Sequence, residues 1–487
     1  MIKITPQKKI RGQFALTGDY YLALHLAALA GWSPEPIHIR GCIPSSPLLS
    51  FVKSLSVLGW DIEWKDGLLI KGRNKPNWQE TKTEIKPVDT TQACILGGIL
   101  SCLQNGQLIS WPVIPPGLYR WWKLTSVNTS PHGLSAESHS QVDQSSPLNT
   151  VIESIPPSPE NANLQEILSA NQPAEKAGFP HLYEIAPLDL NSPFNLQTKK
   201  EHWQKIFFFY ASLNETGSLS LEGEQLGGVG PELALQLLGH SIEWERPGTK
   251  VLSELEKRMA RLQKNQTRET EKVKWSLPLQ FNYKEVILPA NRMQLALYTL
   301  AATFRSGSDL TLENILIHPQ SISFLNALKK MGADIEINPK KDGLVSRGSV
   351  RIRTSSLLGR RFAWDVLGIL QEESLLLLCA SALAAGESIF RDLEFLRSYP
   401  QDILRHMVFQ LKAFGIEVGI VEDGLVIRGQ KEIQSASFNA LENWALAWAG
   451  TGLLVLQTQE GNLEQPPQDF DQAFNKWLEL IQPLGTH

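Results

Sequence analysis

The sequence predicts an α/β (α+β) protein of two domains, each built from three repeated units, and three observations lead to this prediction. The chain has 487 residues, more than one hydrophobic core usually holds. Four segments share a pattern in which an amphipathic helix ends at a glycine and a short strand follows. An Asp-Gly-Leu phrase then follows three of these segments, and Asp-Gly between alternating apolar residues is a strong hairpin signal.

In each of the four similar segments, a glycine stands at the end of the amphipathic helix. These glycines are Gly59, Gly239, Gly332 and Gly415. Each suits the left-handed position that closes a helix, and the alternation after it has the two-residue period of a half-exposed strand. The Asp-Gly-Leu hairpins begin at Asp66, Asp342 and Asp423.

A third phrase comes before the first and consists of a helix of small and apolar residues, then glycine, then a strand. It occurs six times, so each unit reads strand, buried helix, strand, amphipathic helix, strand and hairpin. Any α/β protein alternates helices and strands. Similar sequences at matching positions in the six units nevertheless favour true repetition.

Two segments interrupt this pattern. Residues 125–178 are rich in Ser, Pro, Asn and Gln with little periodicity, which predicts a mostly disordered insertion. Residues 245–274 are dense in mixed charge, which predicts a solvated surface helix.

Composition excludes several classes of function. The net charge of −4 does not favour the binding of a polyanion, so we expect no nucleic-acid partner. The four cysteines lack C-x-x-C spacing and are expected to be reduced core residues rather than a disulfide framework or a zinc site. The N-terminus lacks an apolar signal region, and the longest apolar runs, such as 375–385, are too short to span a bilayer, so we expect a cytoplasmic protein.

The helix predicted within Thr17–Gly31 has the start of an anion-binding helix but lacks positively charged side chains. Asp19 is a good N-cap, and Leu22, Leu26 and Leu29 follow at helical spacing. A helix N-terminus is a natural anion site. This segment nevertheless contains no lysine or arginine.

Six units divided three and three resemble the enolpyruvyl transferase fold, and the chain is most similar to the family of 5-enolpyruvylshikimate-3-phosphate (EPSP) synthase. The likeness is most specific at residues 306–337 and 382–429. It implies an inverse α/β barrel of units around buried helices in each domain. The domains would be residues 19–288, and 1–18 together with 289–487, closing on phosphoenolpyruvate and shikimate 3-phosphate without a cofactor or metal.

These substrates explain what the family's site contains. Both carry a phosphate and a carboxylate, so converging Lys and Arg side chains and helix N-termini must hold several negative charges. Acidic and basic groups then move protons.

When the family's motifs are aligned with this sequence, most of their substrate-binding and catalytic residues are replaced. In G-D-K-S-x-S-x-R, the positions of the lysine, the first serine and the arginine fall on Tyr20, Tyr21 and His25. The arginine of N-A-G-T-x-x-R falls on Cys94. The catalytic aspartate of I-D-E falls on Gln371, although the next residue, Glu372, matches.

The remaining motifs are equally altered. In R-x-K-E-x-D-R, Arg397 and Asp402 are retained, whereas Tyr399, Pro400 and Ile403 stand at the lysine, glutamate and second arginine. The D-H-R phrase ends on Asn443, and the lysine of K-S-F-P has no match.

The loss of positive charge does not depend on how the motifs are aligned. Residues 17–29, 87–100 and 439–453 contain no Lys or Arg. Possible substitutes are Lys199 and Arg292, although surface solvation explains most remaining cations. Tyr20, Tyr21 and His25 either fill space left by the substrates or line a more aromatic pocket.

Three hypotheses follow. The leading one is a homologue that has lost enolpyruvyl transfer and binds a small molecule, or regulates, through its interdomain cleft. The others are a divergent but active 3-phosphoshikimate 1-carboxyvinyltransferase, and a transferase or lyase for another ligand. The sequence does not identify a protein partner or the oligomeric state.

Overall fold

A computed structural model describes most of the chain. The described residues are 1–5, 9–71, 85, 87, 89–102, 108–111, 123–124, 181–184, 195–196, 202–213, 217–223, 230–245, 271–342, 345–397, 402–468 and 470. The helices are α1 (Tyr20–Ala30), α2 (Ser46–Val57), α3 (Thr90–Cys102), α4 (His202–Ala211), α5 (Pro231–Leu237), α6 (Arg292–Phe304), α7 (Ser323–Met331), α8 (Trp364–Leu370), α9 (Ser374–Ser381), α10 (Ile403–Ala413) and α11 (Trp444–Leu456). Two 3-10 turns cover Gln371–Glu373 and Leu393–Arg397.

The strands are short and run through both halves of the chain. They are β1 (Ile2–Ile4), β2 (Arg11–Ala15), β3 (Ile37–Arg40), β4 (Asp61–Trp64), β5 (Leu68–Lys71), β6 (Leu108–Trp111), β7 (Lys123–Leu124), β8 (His181–Glu184), β9 (Asn195–Leu196), β10 (Gly217–Gly223), β11 (Glu243–Glu245), β12 (Glu271–Leu277), β13 (Glu285–Ile287), β14 (Asp309–Leu316), β15 (Asp334–Asp342), β16 (Val345–Arg353), β17 (Arg361–Phe362), β18 (Glu387–Arg391), β19 (Glu417–Val421), β20 (Gly424–Arg428), β21 (Phe438–Asn439) and β22 (Gly461–Glu464).

The described strands form small open sheets, and none of them closes into a barrel within the described ranges. The four-stranded sheets have the orders β13-β3-β5-β4, β9-β10-β12-β11, β2-β14-β16-β15 and β17-β18-β20-β19. In each of them the first two strands are parallel and the next two pairings are antiparallel. The predicted mixed α/β class is confirmed.

The predicted helix ends and hairpins are confirmed at their glycines. The backbone φ is positive at all four helix-ending glycines, at 95° for Gly59, 80° for Gly239, 107° for Gly332 and 75° for Gly415. The first and third Asp-Gly-Leu phrases lie in the β4–β5 and β19–β20 hairpins, and Asp342 ends β15, which pairs with β16. At the first hairpin Gly67 has φ 124°, and a Cβ there would lie 2.3 Å from the carbonyl oxygen of Ile39. Only glycine fits this turn.

Helix starts follow ordinary capping rules. Asp19 caps α1 as predicted, because its Oδ1 accepts a hydrogen bond of 3.0 Å from the amide of Leu22. Asn291 and Asn443 cap α6 and α11 in the same way, at 3.0 and 3.1 Å. From Leu22 to Ala30 every residue of α1 is buried, so the small and apolar helix is surrounded by protein on all sides.

The buried apolar side chains form two clusters. The first core draws on residues between 22 and 288 together with Leu316. The second core draws on residues between 2 and 16 and between 290 and 470. We propose that these two cores correspond to domains 19–288 and 1–18 with 289–487, a division that stays a prediction.

The chain passes between the two cores at two adjacent places. Gly18 and Ala290 form an isolated antiparallel bridge. The amide of Asp19 donates to the carbonyl of Pro289 at 2.8 Å, and the amide of Asn291 donates to the carbonyl of Thr17 at 2.7 Å. The two crossings are therefore held together by backbone hydrogen bonds.

The prediction of a surface helix over 245–274 is wrong at both ends. Glu245 lies in β11, and residues 271–274 lie in β12, paired with β10 and β11. Val273 and Trp275 alternate with lysines, and both are buried. This alternation of apolar and charged residues is typical of a half-buried strand and not of a helix. Residues 246–270 and the predicted disordered insertion at 125–178 lie outside the described residues. Among the described helices none combines the length and the apolar character needed to cross a membrane.

Candidate functional site

The first turn of α1 lies where the two cores meet. Tyr20 and Tyr21 begin this helix, directly after the crossing at Gly18. Their rings contact each other edge to face, with centroids 5.2 Å apart. The two hydroxyl groups bond to carboxylates on different sides of the junction, Asp89 and Glu372.

Tyr20 belongs to a polar network inside the first core. Its hydroxyl donates to Asp89 Oδ2 at 2.6 Å and accepts from Gln92 Nε2 at 2.8 Å. Asp89 also precedes α3 and accepts from the amide of Gln92 at 2.8 Å. Burial raises the pKa of Tyr20 well above its usual value and also raises the pKa of Asp89. Tyr20 therefore stays a neutral phenol at neutral pH, where a lysine would carry a charge.

Tyr21 reaches the second core. Its hydroxyl donates to Glu372 Oε2 at 2.8 Å. Glu372 lies in the 3-10 turn that begins at Gln371, whose φ is 56° and whose Nε2 donates to the carbonyl of Gly368 at 3.0 Å. An amide at this position cannot exchange a proton as a carboxylic acid does.

Arg292, one of the two predicted substitute cations, lies at this junction between the carboxylates of Asp19 and Glu373. Its Nε lies 3.8 Å from Asp19 Oδ2, its Nη1 lies 3.7 Å from Glu373 Oε2, and its side chain is 11% exposed. Its backbone amide donates to the same Asp19 oxygen at 3.2 Å. Burial raises the pKa of Glu373 to about 7, and Arg292 opposes this effect.

His25 and Cys94 are fully buried and do not line an open surface. His25 Nδ1 lies 2.9 Å from the hydroxyl of Tyr210 on α4, and the two rings are nearly parallel with centroids 5.8 Å apart. Burial raises the pKa of the Cys94 thiol well above its usual value. The structure thus fills the family's two arginine positions with groups that pack inside the first core.

The other family positions are dispersed or lie outside the described chain. Asp402 caps α10 by accepting from the amide of Arg405 at 2.9 Å, and Ile403 is buried beside it. Arg397 is exposed at the end of its 3-10 turn, and Asn443 caps α11. The remaining predicted residues, Lys199, Tyr399 and Pro400, lie outside the described residues.

Two acidic residues of this junction were not predicted from the sequence. Asp89 precedes the helix by one residue and has a glutamine three positions later, which is an N-cap pattern that could have identified it. Glu373 follows the matched Glu372 directly, and no periodicity distinguishes the half-buried Glu372 from the fully buried Glu373. The carboxylates of Asp19, Asp89, Glu372 and Glu373 consequently share this junction with one predicted cation, Arg292. This excess of carboxylates over cations disfavours the binding of two multiply charged anions.

Comparisons with known proteins agree on the family. Residues 256–459 match the family described as EPSP synthase (3-phosphoshikimate 1-carboxyvinyltransferase). A protein of that enzyme name from Desulfitobacterium hafniense is 24% identical over 99% of this chain and 98% of its own. One from Synechocystis sp. is 31% identical over 35% of this chain and 39% of its own.

Solved structures show the same fold. EPSP synthase from Acinetobacter baumannii aligns with a TM-score of 0.64 and 16% identity, covering 98% of this chain and 96% of its own. The enolpyruvyl transferase NikO from Streptomyces tendae aligns with a TM-score of 0.59 and 12% identity, covering 97% and 96%. With the family match and the full-length relative, these alignments confirm the resemblance of the chain to the EPSP synthase family of enolpyruvyl transferases.

Proposed function

We propose that this protein is a catalytically degenerate member of its family that binds a small molecule in the cleft between its two cores and does not transfer an enolpyruvyl group. The main support is the pairing of Tyr20 with Asp89 and of Tyr21 with Glu372. These tyrosines stand at the family's lysine and serine positions, and each already donates its hydroxyl proton to a carboxylate of the chain.

Binding of the family's anionic substrates depends on positively charged side chains. Hydrogen bonds to charged groups contribute about 1.5–3 kcal/mol each. Tyr20, His25, Cys94 and Ile403 replace cations of the family's motifs, so losing these groups would weaken anion binding by many orders of magnitude. Preorganised charge is usually the largest contribution to catalysis of this kind, and the amide of Gln371 does not act as a general acid or base at neutral pH.

A divergent but active 3-phosphoshikimate 1-carboxyvinyltransferase is the second candidate. The alignment of nearly the whole chain with the D. hafniense protein of that name favours it. It would need Arg292 and Lys199 to hold the substrates. Arg292 already faces Asp19 and Glu373, which favours the degenerate reading. A transferase for a less charged ligand would suit the aromatic surface of Tyr20 and Tyr21.

We also propose a cytoplasmic location. The family's biosynthetic activity and the free state of all four cysteines support it.

The test is a turnover and binding assay on the purified full chain. Phosphate release would be followed with phosphoenolpyruvate and shikimate 3-phosphate, and binding of each by calorimetry at millimolar concentration, with the A. baumannii enzyme as positive control. We expect neither turnover nor binding of both substrates. Turnover that is lost in Arg292→Ala or Lys199→Ala, and kept in the exposed control Arg361→Ala, would instead establish the active enzyme.

A further inference from the structure

The two cores are joined at the cleft by side chains of the chain itself. Tyr21 extends from the first core and bonds to Glu372 of the second. Arg292, at the start of α6 in the second core, faces Asp19 at the crossing and Glu373 in the turn before α9. These side chains contact each other directly.

Glu373 is a buried carboxylate of this cluster that accepts no hydrogen bond from the described residues. It is 2% exposed, and among the described residues neither of its carboxylate oxygens has a hydrogen-bond partner. The charged or titratable groups that face the cluster are Arg292 from α6, Asp19 and Tyr21 from the start of α1, and Glu372 from the same turn. Asp19 and Glu372 add negative charge, and of the cations that the structure describes Arg292 offsets it.

We propose that Tyr21, Glu372, Glu373, Arg292 and Asp19 form a latch that holds the two cores together across the cleft and that releases them as the pH rises. An ionised carboxylate that is buried without hydrogen bonds is costly, whereas a protonated one is tolerated. Opening would expose Glu373 to water and remove this cost. The latch does not depend on the proposed function, because it requires no ligand or turnover.

The direction of the pH effect follows from linkage. Burial raises the pKa of Glu373 from about 4.5 to about 7 in the closed form, so closing takes up a proton. The contribution to closure is complete below about pH 4.5 and is lost as the pH rises through about 7. The closing equilibrium constant should fall about 30-fold between about pH 5.5 and about pH 8 and then level off.

Single-molecule energy transfer between dyes on the two cores would measure closure. Leu49 on α2 and Ile420 on β19 are exposed and belong to different halves, so Leu49→Cys with Ile420→Cys, in a Cys42→Ser background, reports their separation. Leu358→Cys with Ile420→Cys is the matched control, because both positions lie in the second half. No substrate is present, so the result is independent of the turnover assay.

We expect the open fraction of the cross-core pair to increase from pH 5.5 to pH 8, while the control pair does not change. Glu373→Gln keeps the shape and stays neutral, so it should remain closed at both pH values. Tyr21→Phe should be more open than the wild type at both, and it makes the pH effect measurable if the wild type is almost fully closed. The latch is refuted if neither wild type nor Tyr21→Phe changes with pH, or if Glu373→Gln responds as strongly as the wild type.

Discussion

Tyr21 donates its hydroxyl proton to Glu372 Oε2 at 2.8 Å across 351 positions of sequence. The bond connects the first turn of α1 to the turn that precedes α9, and so connects the first core to the second. At the family's serine position the chain thus carries a residue that is long enough to reach the opposite side.

Replacing Tyr21 by Phe should lower the free energy of unfolding by about 1.5 kcal/mol, because a partly buried hydrogen bond to a carboxylate is lost while the ring remains. Tyr283→Phe is the matched control, since that ring is 40% exposed, and it should change stability by less than about 0.5 kcal/mol. Urea denaturation measures both variants. Equal effects of the two substitutions would show that the contact with Glu372 does not stabilise the junction.

The ion pair between Lys205 and Glu232 predicts a second stability effect. Lys205 Nζ lies 2.8 Å from Glu232 Oε1, and the two side chains are 1% and 6% exposed. Lys205→Met should cost about 3–5 kcal/mol, since it leaves a buried carboxylate without its cation. Adding Glu232→Leu should recover most of this loss, because an apolar pair of similar volume removes the unpaired charge. A double variant as unstable as Lys205→Met alone would contradict this account.

Local features of this fold could be predicted from sequence because they depend on neighbouring residues. The cap at Asp19, the left-handed glycines Gly59 and Gly332, and the turn at Asp66 each follow from backbone geometry within a few residues. The strand at 271–277 was missed because its lysines resemble a charged helix, and only the alternation of Val273 and Trp275 reveals the buried face.

The junction could be predicted only in part. The loss of Lys and Arg from the family's motifs was visible in the sequence, but the groups that replace them were not, since Tyr21 and Glu372 meet only through tertiary structure. The burial of Lys205 illustrates the same limit, because its charge alone favours solvation.

The crossing at Gly18 should tolerate no side chain. A Cβ there would lie 2.5 Å from the carbonyl oxygen of Gly41 and 2.7 Å from Leu288 Cβ, so Gly18→Ala must displace backbone at the crossing. We expect a loss of about 1–3 kcal/mol by denaturation. Gly419→Ala is the control, since no atom lies within 4 Å of its Cβ position, and it should be nearly neutral. A neutral Gly18→Ala would mean that the crossing can move freely.

The pH dependence of Asp89 provides the last test, with Asp89→Asn as the variant. Burial raises the pKa of Asp89, and the hydrogen bond from Tyr20 opposes this shift. A raised pKa in the folded protein means that the contribution to stability is present below the ordinary value near 3.8 and is lost as the pH rises through the folded value. Asn keeps the shape and does not titrate, but it has one acceptor oxygen where Tyr20 and the amide of Gln92 bond to two. The change of the stability difference with pH is therefore the quantity compared, and not the difference at a single pH. The wild type should therefore be more stable relative to Asp89→Asn at about pH 4 than at about pH 7, as measured by urea denaturation at both pH values. If the difference has the opposite sign, the hydrogen bond from Tyr20 outweighs burial, and Asp89 is an ionised acceptor at the start of α3.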